Sequence, residues 1–130
     1  MGLEKITKNS YPGILCGIII LILTGFPGSL FPHPKPIIGL DKVVHFLMYA
    51  CFAFACLWGY REPFVFNDVA YKKKAMLITL AIGIAYGGLT ELMQNYLVPQ
   101  RTGDWLDFLA DSLGVLVGIL VFYLFFRHKK

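Results

Sequence analysis

Four apolar runs, at 11–31, 43–60, 75–98 and 105–126, organise the chain, and short stretches rich in charge, proline and glycine separate them. Each run approaches or exceeds the roughly 20 residues that a helix needs to cross a bilayer. The pattern predicts an all-α fold, a compact bundle of four transmembrane helices within one integral membrane domain covering residues 1–130.

A period of 3.6 residues sorts the polar positions inside those runs onto definite faces. In the fourth run Asp104, Asp107, Asp111, Gly114 and Gly118 fall on one stripe. Asp41, His45 and Tyr49 repeat along one edge of the second, while Glu91 in the third is followed by Gln94 and Asn95 on its own side, next to Gly87. Gly13 with Gly17, Gly83 with Gly87, and Gly114 with Gly118 have the four-residue spacing that lets helix backbones approach closely in lipid. Depth agrees with direction. At about 1.5 Å per residue, Glu91 and Asp111 both lie roughly 10 Å below one membrane surface, and His45 and Tyr49 bracket that level. The cytoplasmic half of every helix lacks such polar residues, so the stripes predict one polar pocket, open to the outside and closed below by an apolar floor.

Composition places the chain in lipid: 57% of residues are hydrophobic and 15% charged, and mean hydropathy is positive. A soluble domain of this length needs a polar exterior that these runs do not supply. Nine of the twelve basic residues, Lys5, Lys8, Arg61, Lys72, Lys73, Lys74, Arg127, Lys129 and Lys130, lie on the side shared by the termini and the middle loop. Only Lys35, Lys42 and Arg101 lie opposite. Because basic loops stay in the cytoplasm, both termini are expected there. The net charge of +4 is thus a topology signal, and no nucleic-acid partner is implied. Lys72 to Lys74 would also meet anionic lipid heads.

The first run has the basic lead and the following small residues of a secretion signal, but its length and Pro27 near its outer end predict that it is kept as a helix. Cys16, Cys51 and Cys56 are expected as free thiols packed as small apolar groups. No feature of the sequence sets an oligomeric state.

Glu91, Asp107 and Asp111 sit in runs where a carboxylate is costly, and that cost points to function. In a binding protein the pocket would recognise a ligand without changing it. In an enzyme the catalytic candidates are His45, Glu91, Arg101 and Asp107, with His45 or Glu91 as general base and Arg101 stabilising charge on an oxygen. No cofactor is predicted outright. His45, Glu91, Asp107 and Asp111 nonetheless form an acceptable ligand set for a divalent cation. No compact metal motif appears, and no serine or cysteine nucleophile has a neighbouring base in sequence. Structural alternatives stand beside these. Asp104 could cap a helix, Arg101 could neutralise Asp104 or Asp107, and His45 could hydrogen-bond Glu91 to clasp two helices.

Between about Asp41 and Gly118 the chain resembles the VanZ-like family. The resemblance rests on Asp41-Lys42 with His45 and Tyr49, Glu91 with Gln94, then Arg101, Asp104 and Asp107, and finally Gly114 with Gly118. Asp111 is a difference, since the family more often has Asn there. The resemblance implies a multi-pass protein of the bacterial inner membrane, linked to low-level resistance to teicoplanin and other envelope-directed agents. Its partners would be membrane lipids and an amphiphilic or lipid-linked envelope ligand. The predicted binding set is Asp41, Lys42, His45, Tyr49, Glu91, Gln94, Arg101, Asp104, Asp107 and Asp111, with Arg101 suited to grip a phosphate or carboxylate.

Overall fold

A computed structural model describes the backbone of residues 3–25, 40–66, 68–96 and 105–127, and their side chains except at 3–9, 24, 25, 40, 41, 94, 95 and 105. Five helices follow one another: α1 (Leu3–Gly25), α2 (Leu40–Trp58), α3 (Arg61–Phe66), α4 (Val69–Tyr96) and α5 (Trp105–Phe126). No strand occurs among the described residues.

The fourth predicted run coincides with α5, but the other boundaries move. α1 starts at Leu3 and carries Pro12 inside it, so Lys5 and Lys8 lie on the helix rather than ahead of it. Residues 26–31, expected to finish that helix, lie outside the described residues. α2 begins at Leu40 and ends at Trp58, slightly earlier at both ends than the predicted 43–60. The 61–74 segment, read from sequence as a loop, is mostly helical. It forms α3, and α4 starts at Val69 instead of 75, so the lysine run is helical too. Asp68 explains the early start: its Oδ1 accepts the Tyr71 N–H at 3.0 Å, an N-terminal cap that stabilises the first turn.

The long helices alternate in direction. Ser10 Oγ meets Tyr60 Oη at 2.8 Å, so α1 begins where α2 ends. Tyr49 of α2 reaches Thr90 of α4, which sets those two antiparallel, while α2 and α5 run parallel side by side. α2 packs most extensively on α5, whereas α1 and α4 touch sparingly.

The three glycine pairs act as the sequence predicted. A methyl group at Gly114 or Gly118 would run into the main-chain carbonyls of Phe46 or Ala50 on α2. Gly83 and Gly87 bring α4 against Val115 and Asp111 of α5, and Gly13 and Gly17 bring α1 against Cys56 and Phe52 of α2. Around this seam the core holds Tyr49, Phe52, Ala53, Val115 and Phe122, with Phe64 of α3 stacked edge-on against Phe122. The three cysteines are free thiols, as expected.

Two helical stretches, Val69–Met93 and Leu106–Phe126, are long and apolar enough to cross a membrane. Only 28% and 33% of their most apolar windows are buried, and large side chains such as Leu77, Ile82, Leu113 and Leu120 point outward. A core helix of a water-soluble protein would be mostly buried. The apolar stretches of the first two helices, Ser10–Leu23 and Lys42–Trp58, are shorter than that standard.

Candidate functional site

Lys42, His45 and Tyr49 lie three and four residues apart on α2, which puts them on one face, one turn below another. Each meets a different polar partner. Lys42 Nζ lies 3.4 Å from Asp107 Oδ1, at the end where α5 begins. One turn deeper, His45 Nδ1 and Asp111 Oδ1 are 2.9 Å apart, with only 8% and 1% of the two side chains exposed. Deeper still, Tyr49 Oη and Thr90 Oγ1 are 2.7 Å apart. Because Thr90 Oγ1 gives its one proton to the Gly87 carbonyl at 3.0 Å, the Tyr49 hydroxyl is the donor in that pair.

The local sequence creates the space for this ladder. Gly87 keeps α4 close to α5, since a Cβ there would stand 3.2 Å from Asp111 Cβ and 3.4 Å from Asp111 Oδ2 and would press Asp111 aside by a few tenths of an ångström. Gly114, one turn further along α5, lets α2 approach closely enough for the short His45 to reach Asp111. The stripe Gly83, Gly87, Thr90 thus serves both close packing and polar contact.

Glu91 completes the cluster from α4. Its Oε1 is buried, and ligand atoms of His45, Glu91 and Asp111 all lie within 4.8 Å of one another. With Asp111 ionised, its Oδ1 can only accept, which fixes the His45 proton at Nδ1. Asp111 Oδ2 is sealed from solvent and takes no hydrogen bond from any described residue. Among the described residues, three carboxylates, Glu91, Asp107 and Asp111, stand here with one lysine and one histidine. The described part of the cluster is rich in acceptor oxygens and suits a cation or a hydrogen-bond donor.

Of the predicted site residues, Lys42, His45, Tyr49, Glu91, Asp107 and Asp111 come together. Arg101 and Asp104 lie outside the described residues, as do the side chains of Asp41, Gln94 and Asn95. Two pairings differ from the expectation. His45 clasps Asp111 rather than Glu91, because Gly114 brings α5 closer to α2 than α4 comes. Asp107, expected among the ligands of an ion, engages Lys42 a turn away from the His45, Glu91, Asp111 group.

Sequence reasoning missed Thr90. Its position seven residues beyond Gly83 was the available signal, since it continues the glycine stripe toward Tyr49. A cavity of about 900 Å³ opens in the other half of the molecule, between α1, α2 and α4. That half is less uniformly apolar than expected, because it contains buried Thr79 and the Ser10–Tyr60 hydrogen bond.

Comparison with known proteins covers nearly the whole chain. An uncharacterized protein of Schizosaccharomyces pombe is 30% identical over 114 residues, which is 87% of this chain and 62% of that relative. The chain thus spans less than two thirds of the relative's length. No solved structure matches it. Residues 7–126 match VanZ/LLP1, a span that includes every described member of the polar cluster, and the chain belongs to that family.

Proposed function

We propose that all four long helices cross the membrane, with both termini on the cytoplasmic face of a bacterial inner membrane, and that the acid-rich cluster binds the polar head of an amphiphile. The ligand class is an envelope-directed or lipid-linked compound of the teicoplanin type that the family resemblance implies. The observation that carries this reading is Asp111 Oδ2, a buried acceptor that takes no hydrogen bond from any described residue. A charged acceptor left so in hydrocarbon is expensive, and a protonated amine or other donor on a ligand relieves that cost. The tail of such a ligand stays among the apolar outer faces of the helices.

Binding of teicoplanin to the purified chain in detergent, followed by microscale thermophoresis, tests this. Asp111→Asn weakens binding about tenfold or more, because a hydrogen bond to a charged group contributes roughly 1.5–3 kcal/mol. Affinity unchanged by Asp111→Asn and Glu91→Gln, in protein that stays folded, rules the site out.

A second reading has its own support in the close grouping of His45, Glu91 and Asp111, within 4.8 Å. One imidazole and two carboxylates suit a divalent ion such as zinc or manganese. An ion held there would supply Lewis acidity to a hydrolase or transferase acting on a lipid head group, with His45 and Glu91 as its immediate protein partners. Elemental analysis after dialysis against zinc or manganese decides the matter. About one ion per chain in the wild type, lost in His45→Ala, supports it, and a ratio near zero in both dismisses it.

A further inference from the structure

The cavity of about 900 Å³ begins below the polar ladder, where Phe52 and Tyr86 pack against Tyr49, and nothing in the head-group reading uses it. One wall is the α1 face containing Gly13, Gly17 and Ile18, the opposite wall is the α4 face containing Ile78 and Ile82, and α2 forms the back. It exists because α1 and α4 run parallel on either side of α2 and touch sparingly.

Its two ends are polar and its middle is apolar. At the inner end Tyr86 Oη donates to the Gly17 carbonyl at 2.5 Å, which ties α1 to α4 and closes the groove. At the outer end stand the Ser10–Tyr60 hydrogen bond, Tyr71 and Lys74. Length supplies a second constraint. From Ser10 to the tie at Gly17 on α1 the groove runs roughly 10 Å, and from Lys74 to Tyr86 on α4 roughly 18 Å, at about 1.5 Å per residue. Half of a hydrocarbon core of roughly 30 Å lies between those two lengths.

We propose that this groove holds one acyl chain of an anionic phospholipid from the leaflet on the Ser10 side, with its head group at Lys74. A tail of one leaflet's depth fills the apolar length and stops at the Tyr86–Gly17 tie. Charge selects the head. Lys74 is exposed at the groove's outer end, whereas Lys72 leans over the Phe64 ring with its Nζ 5.9 Å from the centroid. A lysine at the membrane surface favours an anionic head several-fold.

Native mass spectrometry of the full chain tests this, after reconstitution in vesicles of equal phosphatidylcholine and phosphatidylglycerol with identical tails. The wild type retains phosphatidylglycerol over phosphatidylcholine by about fivefold, and Lys74→Gln brings the two close to parity. Ile82→Trp, at a half-exposed position on the groove wall, removes both lipids. Should that variant lose its helical circular dichroism, Ile18→Trp on the facing wall replaces it. Equal retention of the two lipids by the wild type overturns the proposal. So does undiminished retention in a folded tryptophan variant, or a dimer mass that carries no lipid.

Discussion

The two ends of this bundle solve opposite problems with the same glycine-spaced helices. Where α2 and α5 begin, three helices are drawn together by Gly87, Gly114 and Gly118, and the contact carries charge: Lys42–Asp107, then His45–Asp111. Where those helices end, α2 and α5 stay together through aromatic rings, with Trp58, Phe122 and Phe126 stacked or edge-on, but α1 and α4 stand apart around an apolar groove. Backbone proximity at one end places carboxylates beside cations in a low-dielectric space. Separation at the other leaves room for hydrocarbon. The polar end is therefore expected to be sensitive to single substitutions and the grooved end tolerant of them.

The largest effect falls on the buried His45–Asp111 pair. His45→Ala leaves Asp111 without its partner and destabilises the fold by about 4 kcal/mol, read from unfolding in mixed micelles. Adding Asp111→Asn to that variant removes the stranded charge and recovers about half of the loss. An additive double mutant breaks the pairing as described. Next comes Gly114→Ala, whose added methyl meets the Phe46 carbonyl oxygen and costs about 3 kcal/mol by forcing α2 from α5. A cost below about 1 kcal/mol there contradicts the close seam.

Tyr49→Phe is smaller, at about 1 kcal/mol, because a hydrogen bond between membrane helices contributes little and Thr90 keeps its bond to the Gly87 carbonyl. The smallest change belongs to the grooved end. Tyr60→Phe removes the half-buried bond to Ser10 and shifts stability by about 0.5 kcal/mol. If Tyr60→Phe matched His45→Ala in cost, the contrast between the two ends would fail.

Much of this was legible in the chain. Helical periodicity placed Asp107, Asp111, Gly114 and Gly118 on one stripe, and counting residues inward put Glu91 and Asp111 at one depth with His45 and Tyr49 bracketing it; the structure brings His45, Glu91 and Asp111 together. The all-helical class followed from run length, and α5 matches its predicted run at both ends. Other features depended on local chemistry that the apolar pattern hides. Asp68 caps α4, so the lysine run is helical, and buried Phe64 anchors α3 where hydropathy showed only a loop.

By itself the sequence determined which residues could meet, since period and depth depend only on helix geometry. Tertiary structure decided which of them do. His45 chose Asp111 over Glu91 because glycines on α5 admit α2 more closely than α4 comes, and Lys42 took Asp107 from the same approach. The groove between α1 and α4 has no signature in either helix, because a gap belongs to the spacing between elements rather than to any one of them.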